Sequence, residues 1–376
     1  YKFKWSYHYA NKSIIVFESI PSLSDNTKSV FDELLHRKFN DRYLLIWSIF
    51  DEPIDKWKKK ARIKNVEYCE AYPESLSERI RNEYIKKRVK CIICCNRFIS
   101  PFQKGQKSFY LSHGMPIKDV SKYYTIPDDI DYCFITGEKY ADIVSNVRKI
   151  RREKIVALGF PRNDEFAKEQ INIKSILNTE CEKIIMWYPT FRQHKFGLKT
   201  GSVNALPLIT DLESAKMLNE AAKRNNVLIV VKPHFVQDIA YINDFELSNI
   251  RFVSDQFFFN NDIVPYRFLA AADALITDYS SIYYDYLLCD KPIGLIWDDY
   301  DDYSKKPGFA VDMNYYMQAG MKIYNIEEMI MFLETVAKNG DFLVKEREKI
   351  RNELHYATDG KNTQRVVDFI IKEAKL

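Results

Sequence analysis

The sequence predicts two doubly wound α/β domains, and three observations carry that reading. The chain has 376 residues, more than the ~250–300 at which a single core stops growing. Short, near-continuous apolar runs alternate with amphipathic stretches, the pattern of parallel strands covered by helices on both faces. That alternation occurs twice, and a turn-rich string, Gly159-Phe160-Pro161-Arg162-Asn163-Asp164, followed by a polar stretch at 168–182, separates the two occurrences.

Taken in order, strands are expected at 13–18, 43–49, 65–69, 89–95, 108–112, 132–136 and 154–158, and again at 183–188, 227–232, 250–253, 274–277 and 293–297. Helices are expected at 27–38, 75–88, 211–225, 264–272 and 282–288, where apolar residues recur at helical spacing. The hinge falls near 165–180. A last helix at 362–375 follows the loop Thr358-Asp359-Gly360. No internal repeat or low-complexity segment interrupts this scheme.

The composition suits a large core: 46% of residues are hydrophobic and 29% charged, with 25 Tyr and 24 Phe making that core aromatic. No run approaches the ~20 apolar residues of a membrane span. The start lacks the pattern of a signal peptide. Residue 1 is Tyr rather than Met, which reads as a trimmed or internal start. Seven cysteines are an odd count without a disulfide framework. Cys91, Cys94 and Cys95 sit in an apolar strand with no second Cys/His pair to complete a zinc site, so they read as core residues of a protein from the reducing cytoplasm.

Net charge is +4 but uneven: residues 1–110 carry 22 Lys+Arg against 13 Asp+Glu. One cluster is Lys56, Lys58, Lys59, Lys60, Arg62 and Lys64; another is Lys86, Lys87, Arg88 and Lys90. These are solvated helix faces or contacts for an anionic surface, lipid or phosphate-rich polymer. Nucleic acid is not expected as a partner, because no recognition module accompanies the charge.

Ligands of open α/β sheets bind beyond the carboxyl ends of strands, and five polar strings lie there. Thr277-Asp278-Tyr279-Ser280-Ser281 ends a strand and leads into a helix starting at Ser280 or Ser281. Free N–H groups and hydroxyls at such a turn suit a phosphate, and a helix cap fits the same residues. Asp278 orients that loop or serves as a turn residue. Tyr110-Leu111-Ser112-His113-Gly114-Met115-Pro116 sets a His after a strand end, where Gly114 permits a tight turn and His113 could act as a general base or hold structure. Lys232-Pro233-His234 puts a cation and a His after a third strand. Tyr188-Pro189-Thr190-Phe191-Arg192 offers a hydroxyl and a guanidinium fork. The fifth string is the turn at 159–164, with Arg162, Asn163 and Asp164.

The sequence has no G-x-G-x-x-G after its first strand, no Walker loop, no nucleophile elbow and no cluster with metal-ligand spacing. The acidic string Asp298-Asp299-Tyr300-Asp301-Asp302 reads as a capping or solvated loop.

Together these strings resemble the CDP-glycerol glycerophosphotransferase family, the enzymes that prime or polymerise wall teichoic acids and related capsules. The matching strings are Val16-Phe17-Glu18-Ser19 with Ser24-Asp25-Asn26, then Ser112 to Lys118, Gly159 to Asp164, Tyr188 to Arg192, Lys232 to His234 and Ile276 to Ser281. Gly308-Phe309 before Asp312 and the closing Asp359-Gly360-Lys361-Asn362 also fit. Two positions depart from the family pattern: Met115 replaces the usual Thr, and Lys232 stands where Arg commonly precedes the Pro-His pair.

The resemblance implies a GT-B-type fold, two facing Rossmann-like domains with a cleft between them. It implies an acceptor-side domain over 1–168, a CDP-donor domain over 169–357, and a helix over 358–376 crossing back to the first domain. It further implies transfer of glycerol phosphate or ribitol phosphate from CDP-glycerol or CDP-ribitol to an acceptor hydroxyl, with release of CMP. On that pattern His113 is the general base and His234 the second catalytic His. Thr190, Arg192, Lys232, Asp278, Ser280 and Ser281 hold the donor, and Gly114, Arg162, Asn163 and Asp164 lie on the acceptor side. No cofactor and no metal are expected, since the CDP-polyol is a substrate. The acceptor would be a polyol phosphate or a glycan, lipid-linked forms included, at the cytoplasmic face of an anionic membrane. A nucleotide-sugar glycosyltransferase, a nucleotide-sugar epimerase of the same architecture and a non-catalytic polyanion-binding module are the competing readings.

Overall fold

The computed structural model describes residues 2–50, 53–58, 63–119, 121–122, 124–190, 206–233, 246–305, 308–341 and 343–376. Period-2 alternation builds the first sheet. Along β1 (Ser13–Glu18), Ile15 and Phe17 join one buried cluster, while Ile14 and Val16 join another on the opposite face. Leu45 and Trp47 against Leu44 and Ile46 repeat this division in β2 (Tyr43–Ile49). A strand apolar on both faces is stable only between two layers of helices.

β3 (Val66–Glu70), β4 (Val89–Cys94), β5 (Lys107–Tyr110), β6 (Tyr132–Ile135) and β7 (Ile155–Ala157) complete a parallel seven-stranded sheet of order β3-β2-β1-β4-β5-β6-β7. The second sheet holds β8 (Lys183–Tyr188), β9 (Val227–Val231), β10 (Ile250–Phe252), β11 (Ala274–Thr277), β12 (Ile293–Ile296) and β13 (Met321–Ile323), all parallel, in the order β10-β9-β8-β11-β12-β13. In both sheets the order reverses beside the first strand. The two topological switch points are therefore the β1/β4 and β8/β11 gaps, where doubly wound sheets place ligands.

The chain divides into two units. The first comprises residues 1–115, 123–164 and 355–376; the second comprises 116–122 and 165–354. Residues 116–122 join the second unit through backbone bonds from Ala310 N–H to Ile117 O (2.8 Å) and from Asp119 N–H to Gly308 O (3.0 Å). The helix Asn362–Ala374 belongs to the first unit, where Val366, Val367 and Ile370 pack with Val30, Phe31 and Leu34 of the helix Asp25–His36. Gly159 makes room for it. Its φ is +85°, and a Cβ there would lie 2.3 Å from Asn362 Oδ1.

Caps set the helix starts that the sequence signals. The Ser75 hydroxyl accepts from Glu78 N–H ahead of Leu76–Lys86, and Asp211 forms a capping box with Ser214 ahead of Leu212–Arg224. Strand ends agree with the expected positions to within a residue or two. β13 is additional: three residues at a sheet edge are too short to show a period. The helix after β11 differs from expectation in length. It covers only Ile282–Tyr286 before giving way to a 3-10 turn, and Ser281 at its N-cap makes no side-chain capping bond.

Cys91, Cys94 and Cys95 are fully buried, and all seven cysteines are unpaired. Among the described residues, no helix is long and apolar enough to cross a membrane, and no group of His, Cys, Asp or Glu side chains is placed to hold a metal ion.

Candidate active site

Each unit carries polar groups at its own switch point. In the first unit, β1 ends on Glu18, a charged residue closing an apolar strand and only 1% exposed. Its Oε2 accepts the backbone N–H groups of Cys95 (3.2 Å), Asn96 (3.3 Å) and Arg97 (3.2 Å), the turn that follows β4. Burial raises the Glu18 pKa, and the three N–H groups oppose that rise.

The same turn fixes His113. Its Nδ1 lies 3.3 Å from Cys95 O and 3.4 Å from the Tyr110 hydroxyl. A carbonyl oxygen can only accept, so Nδ1 carries the proton and Nε2 keeps its lone pair. The ring retains open surface although protein atoms surround it closely. Desolvation lowers its pKa; Asp25 opposes this, and Arg148 and Arg162 add to it. The balance leaves a neutral imidazole at neutral pH with a basic Nε2.

The backbone carrying His113 is pinned from below. Ser112 adopts φ +57°, and its hydroxyl donates to Gly114 O (3.0 Å), closing the turn. Asn26, fully buried, donates from Nδ2 to Ser112 O (2.8 Å) and accepts Arg162 N–H at Oδ1 (3.0 Å). Arg162 in turn donates to Asp25 (2.7 Å) and to His113 O (2.9 Å). Asn163 is 2% exposed. Asp164 accepts the N–H groups of Asn362 (2.8 Å) and Thr363 (2.7 Å), capping the terminal helix. The groups of Arg162 and Asp164, expected on the acceptor side, thus hold the site's frame rather than lie open to a ligand.

In the second unit, Asp278 follows β11 and is fully buried. It accepts Thr190 N–H (3.0 Å) and the Thr190 hydroxyl (2.9 Å), joining the ends of β8 and β11. The two switch points thus share one device: a buried carboxylate at one strand end accepts hydrogen bonds from the turn at the other, three N–H groups at Glu18 and an N–H with a hydroxyl at Asp278. Tyr279 anchors the loop beyond, its ring packed on Trp297 (5.4 Å), Tyr303 (4.5 Å) and Phe309 (5.2 Å). The next two residues, Ser280 and Ser281, stay half-buried, and Ser280 Oγ lies 3.5 Å from Ile282 N. Lys232, just after β9, pairs with Asp255 (2.9 Å) and lies over the Tyr188 ring. Arg192 and His234, together with Lys59, Lys60 and Arg62 of the basic cluster, fall outside the described residues.

The sequence reading assigned no chemistry to Glu18, to Asn26 or to the Cys95 carbonyl. Glu18 had one readable signal, a carboxylate ending an otherwise apolar strand. Asn26 and Cys95 had none, because their roles depend on partners 86 and 18 residues away.

Residues 1–372 match the family model of CDP-glycerol:poly(glycerophosphate) glycerophosphotransferase. The chain belongs to that family. A teichoic acid glycerol-phosphate transferase of Staphylococcus aureus is 24% identical, the match covering 96% of this chain and 94% of that one. A teichoic acid glycerol-phosphate primase of Bacillus subtilis is 26% identical over 67% of this chain, a stretch that spans 60% of the primase. Among solved structures, the wall teichoic acid polymerase TagF superposes with a TM-score of 0.70 at 19% identity, covering 100% of this chain and 94% of the TagF chain. At that identity the likeness is one of fold, and it is the GT-B-type α/β fold expected from the family strings. The two switch points described above are therefore those of a glycerophosphotransferase family member.

Proposed function

We propose that this chain transfers glycerol phosphate from CDP-glycerol to an acceptor hydroxyl, releasing CMP, in the synthesis of a teichoic-acid-type polymer. The observation that supports it best is the His113 ring held with Nδ1 3.3 Å from the Cys95 carbonyl, an arrangement that suits a neutral imidazole with a basic Nε2, within a chain that matches the family along nearly its whole length.

In this reading the acceptor O–H gives its proton to His113 Nε2 as its oxygen attacks the phosphorus bearing the glycerol. A new P–O bond forms, the P–O bond to CMP breaks, and the electron pair leaves on the CMP phosphate. Phosphoryl-type transfer needs mainly positioning and charge stabilisation. Ser280 and Ser281 supply hydroxyl donors to the diphosphate, Lys232 supplies a point charge, and Arg192 and His234 contribute further positive charge. Asp278 acts indirectly by holding Thr190 and the loop. No metal or cofactor is part of the proposal. The seven unpaired cysteines suit a cytoplasmic enzyme, and the basic stretch before residue 110 suits work beside an anionic membrane.

A donor screen tests the reaction: CMP release with CDP-glycerol, CDP-ribitol and nucleotide sugars, each with a glycerol-phosphate acceptor. CDP-glycerol should lead. Turnover of a nucleotide sugar alone would establish a glycosyltransferase or an epimerase instead. General-base catalysis contributes roughly 10²–10⁴-fold, so His113→Ala should lose about that much in kcat and still bind CDP-glycerol. Full turnover by that variant would remove His113 from the base role.

A further inference from the structure

Glu18 places a carboxylate in the core where the turn it holds needs only an acceptor. It is 1% exposed, and its Oε1 has no hydrogen-bond partner among the described residues. Its hydrogen bonds fall on Oε2, which accepts the N–H groups of Cys95, Asn96 and Arg97. A carboxamide oxygen at this position would accept the same three groups at a lower desolvation cost, so holding the turn does not account for the charge. The other side of the turn does. The Asn96 N–H and the Cys95 carbonyl belong to one peptide unit, and in a planar trans peptide they point in opposite directions. Glu18 Oε2 therefore sits at one end of this peptide, 3.3 Å from Asn96 N, and His113 Nδ1 at the other, 3.3 Å from Cys95 O. The next peptide repeats the arrangement. Arg97 N–H donates to Glu18, and Asn96 O accepts from the Tyr124 hydroxyl, whose ring meets His113 edge to face at 6.2 Å.

We propose that Glu18 is the charge partner of His113, acting through the peptide between Cys95 and Asn96 and setting the basicity of the ring as well as its orientation. This rests on the base role given to His113 above and adds a positioning residue that touches neither the ring nor a substrate. Hydrogen bonds in a chain polarise one another. A carboxylate on the N–H leaves more negative charge on the carbonyl oxygen and so strengthens the bond from His113 Nδ1–H. That bond is strongest when the donor is a cation, so it favours the imidazolium formed once Nε2 has taken up a proton. No proton crosses the peptide: Glu18 stays ionised and Nδ1 keeps its hydrogen. The logic is that of an imidazole oriented by a carboxylate, with one peptide unit between the two. Asp25, Arg148 and Arg162 also act on the ring, Tyr110 and Tyr124 lie against it, and Arg97 acts on Glu18. The Cys94 and Cys95 thiols beside Glu18 are held neutral by burial. A change at Glu18 alone leaves all of these in place.

Glu18→Gln tests this, because it keeps an acceptor oxygen for the three N–H groups and removes the charge. At about pH 8 the variant should lose roughly 10-fold in kcat/KM, a fraction of what the base itself contributes. The loss should shrink as pH falls across the acid limb of the profile, where the wild-type carboxylate or its imidazole takes up a proton and the advantage of the charge goes with it. A loss that is the same at every pH is that of a merely structural residue and overturns the proposal, as does full activity at about pH 8. NMR of an isotope-labelled His113 ring without substrate gives a readout independent of turnover. In Glu18→Gln the Nδ1–H resonances should move toward those of a weaker hydrogen bond. Unmoved resonances overturn the proposal even if His113 is the base, and moved ones support the coupling even if it is not. Should Glu18→Gln fail to fold, wild type decides alone: the Nδ1–H resonances should follow the titration of the Glu18 carboxyl, tracked through its carbon signal, and indifference to that step overturns the proposal.

Discussion

Replacing Asn26 by alanine should disable His113 from a distance. Asn26 touches neither the ring nor solvent; it is fully buried, with Nδ2 2.8 Å from Ser112 O and Oδ1 3.0 Å from Arg162 N. Alanine removes both of these bonds at once, together with the longer one from Nδ2 to Leu111 O (3.4 Å). Ser112 O keeps only the weak Cys95 thiol as a donor, at 3.3 Å, and Arg162 N–H loses its carboxamide acceptor. Buried groups deprived of such partners cost about 1–3 kcal/mol each, so the variant should lose about 2–6 kcal/mol. For a unit of this size that is a fall in Tm of roughly 5–20 °C. Ser112 sits at a positive φ directly before His113, so relaxation there swings the ring away from Cys95 O. A displacement of ~1 Å at a reacting group costs on the order of 10²-fold, and kcat should fall by about that factor under conditions where the variant is still folded. Thermal unfolding by circular dichroism and CMP release, run on the same preparations, read the two effects. A Tm within about 2 °C of wild type with full turnover would refute this account of how the His113 turn is held.

Three further outcomes are expected. The pKa of His113 is lowered from its ordinary value, mainly by desolvation, so the basic form persists below pH 6.5; kcat/KM should be flat above that pH and fall as the solution is acidified through the lowered value, and an acid limb centred above 6.5 would contradict the neutral-imidazole assignment. Ser280→Ala combined with Ser281→Ala should weaken CMP binding by roughly 10-fold or more, as for two lost hydrogen bonds to an anion; unchanged affinity by calorimetry would remove the pair from the diphosphate site. Gly159→Ala puts a Cβ 2.3 Å from Asn362 Oδ1 at a φ of +85°, so it should loosen the helix Asn362–Ala374 and expose residues 355–361 to limited proteolysis, at a cost of about 1–3 kcal/mol; a protected terminus with unchanged Tm would show that the contact is slack.

The sequence by itself determined the two sets of strands. Apolar runs such as Ile14-Ile15-Val16-Phe17 can be buried only between two layers of helices, and the polar break after Leu158 separates the sets. It also identified the strand-end strings, because polar residues that follow an apolar strand lie where such sheets bind ligands. The tertiary structure decided which of those residues meet. β1 pairs with β4 across 75 to 76 residues, which no local period encodes, and only that pairing puts Glu18 under the N–H groups of 95–97. The neighbouring pairing of β4 with β5 brings Cys95 O to His113 Nδ1 and leaves Nε2 as the nitrogen free to take up a proton. The sequence places Arg162 and Asp164 on the acceptor side but gives no sign of the bonds they make, because their partners, Asp25 and the N–H groups of Asn362 and Thr363, lie 137 to 199 residues away. The physical reason is one of range: burial and periodicity act over a few residues and can be read along the chain, whereas a hydrogen bond that fixes a tautomer or an ion pair depends on strand order, which packing alone selects.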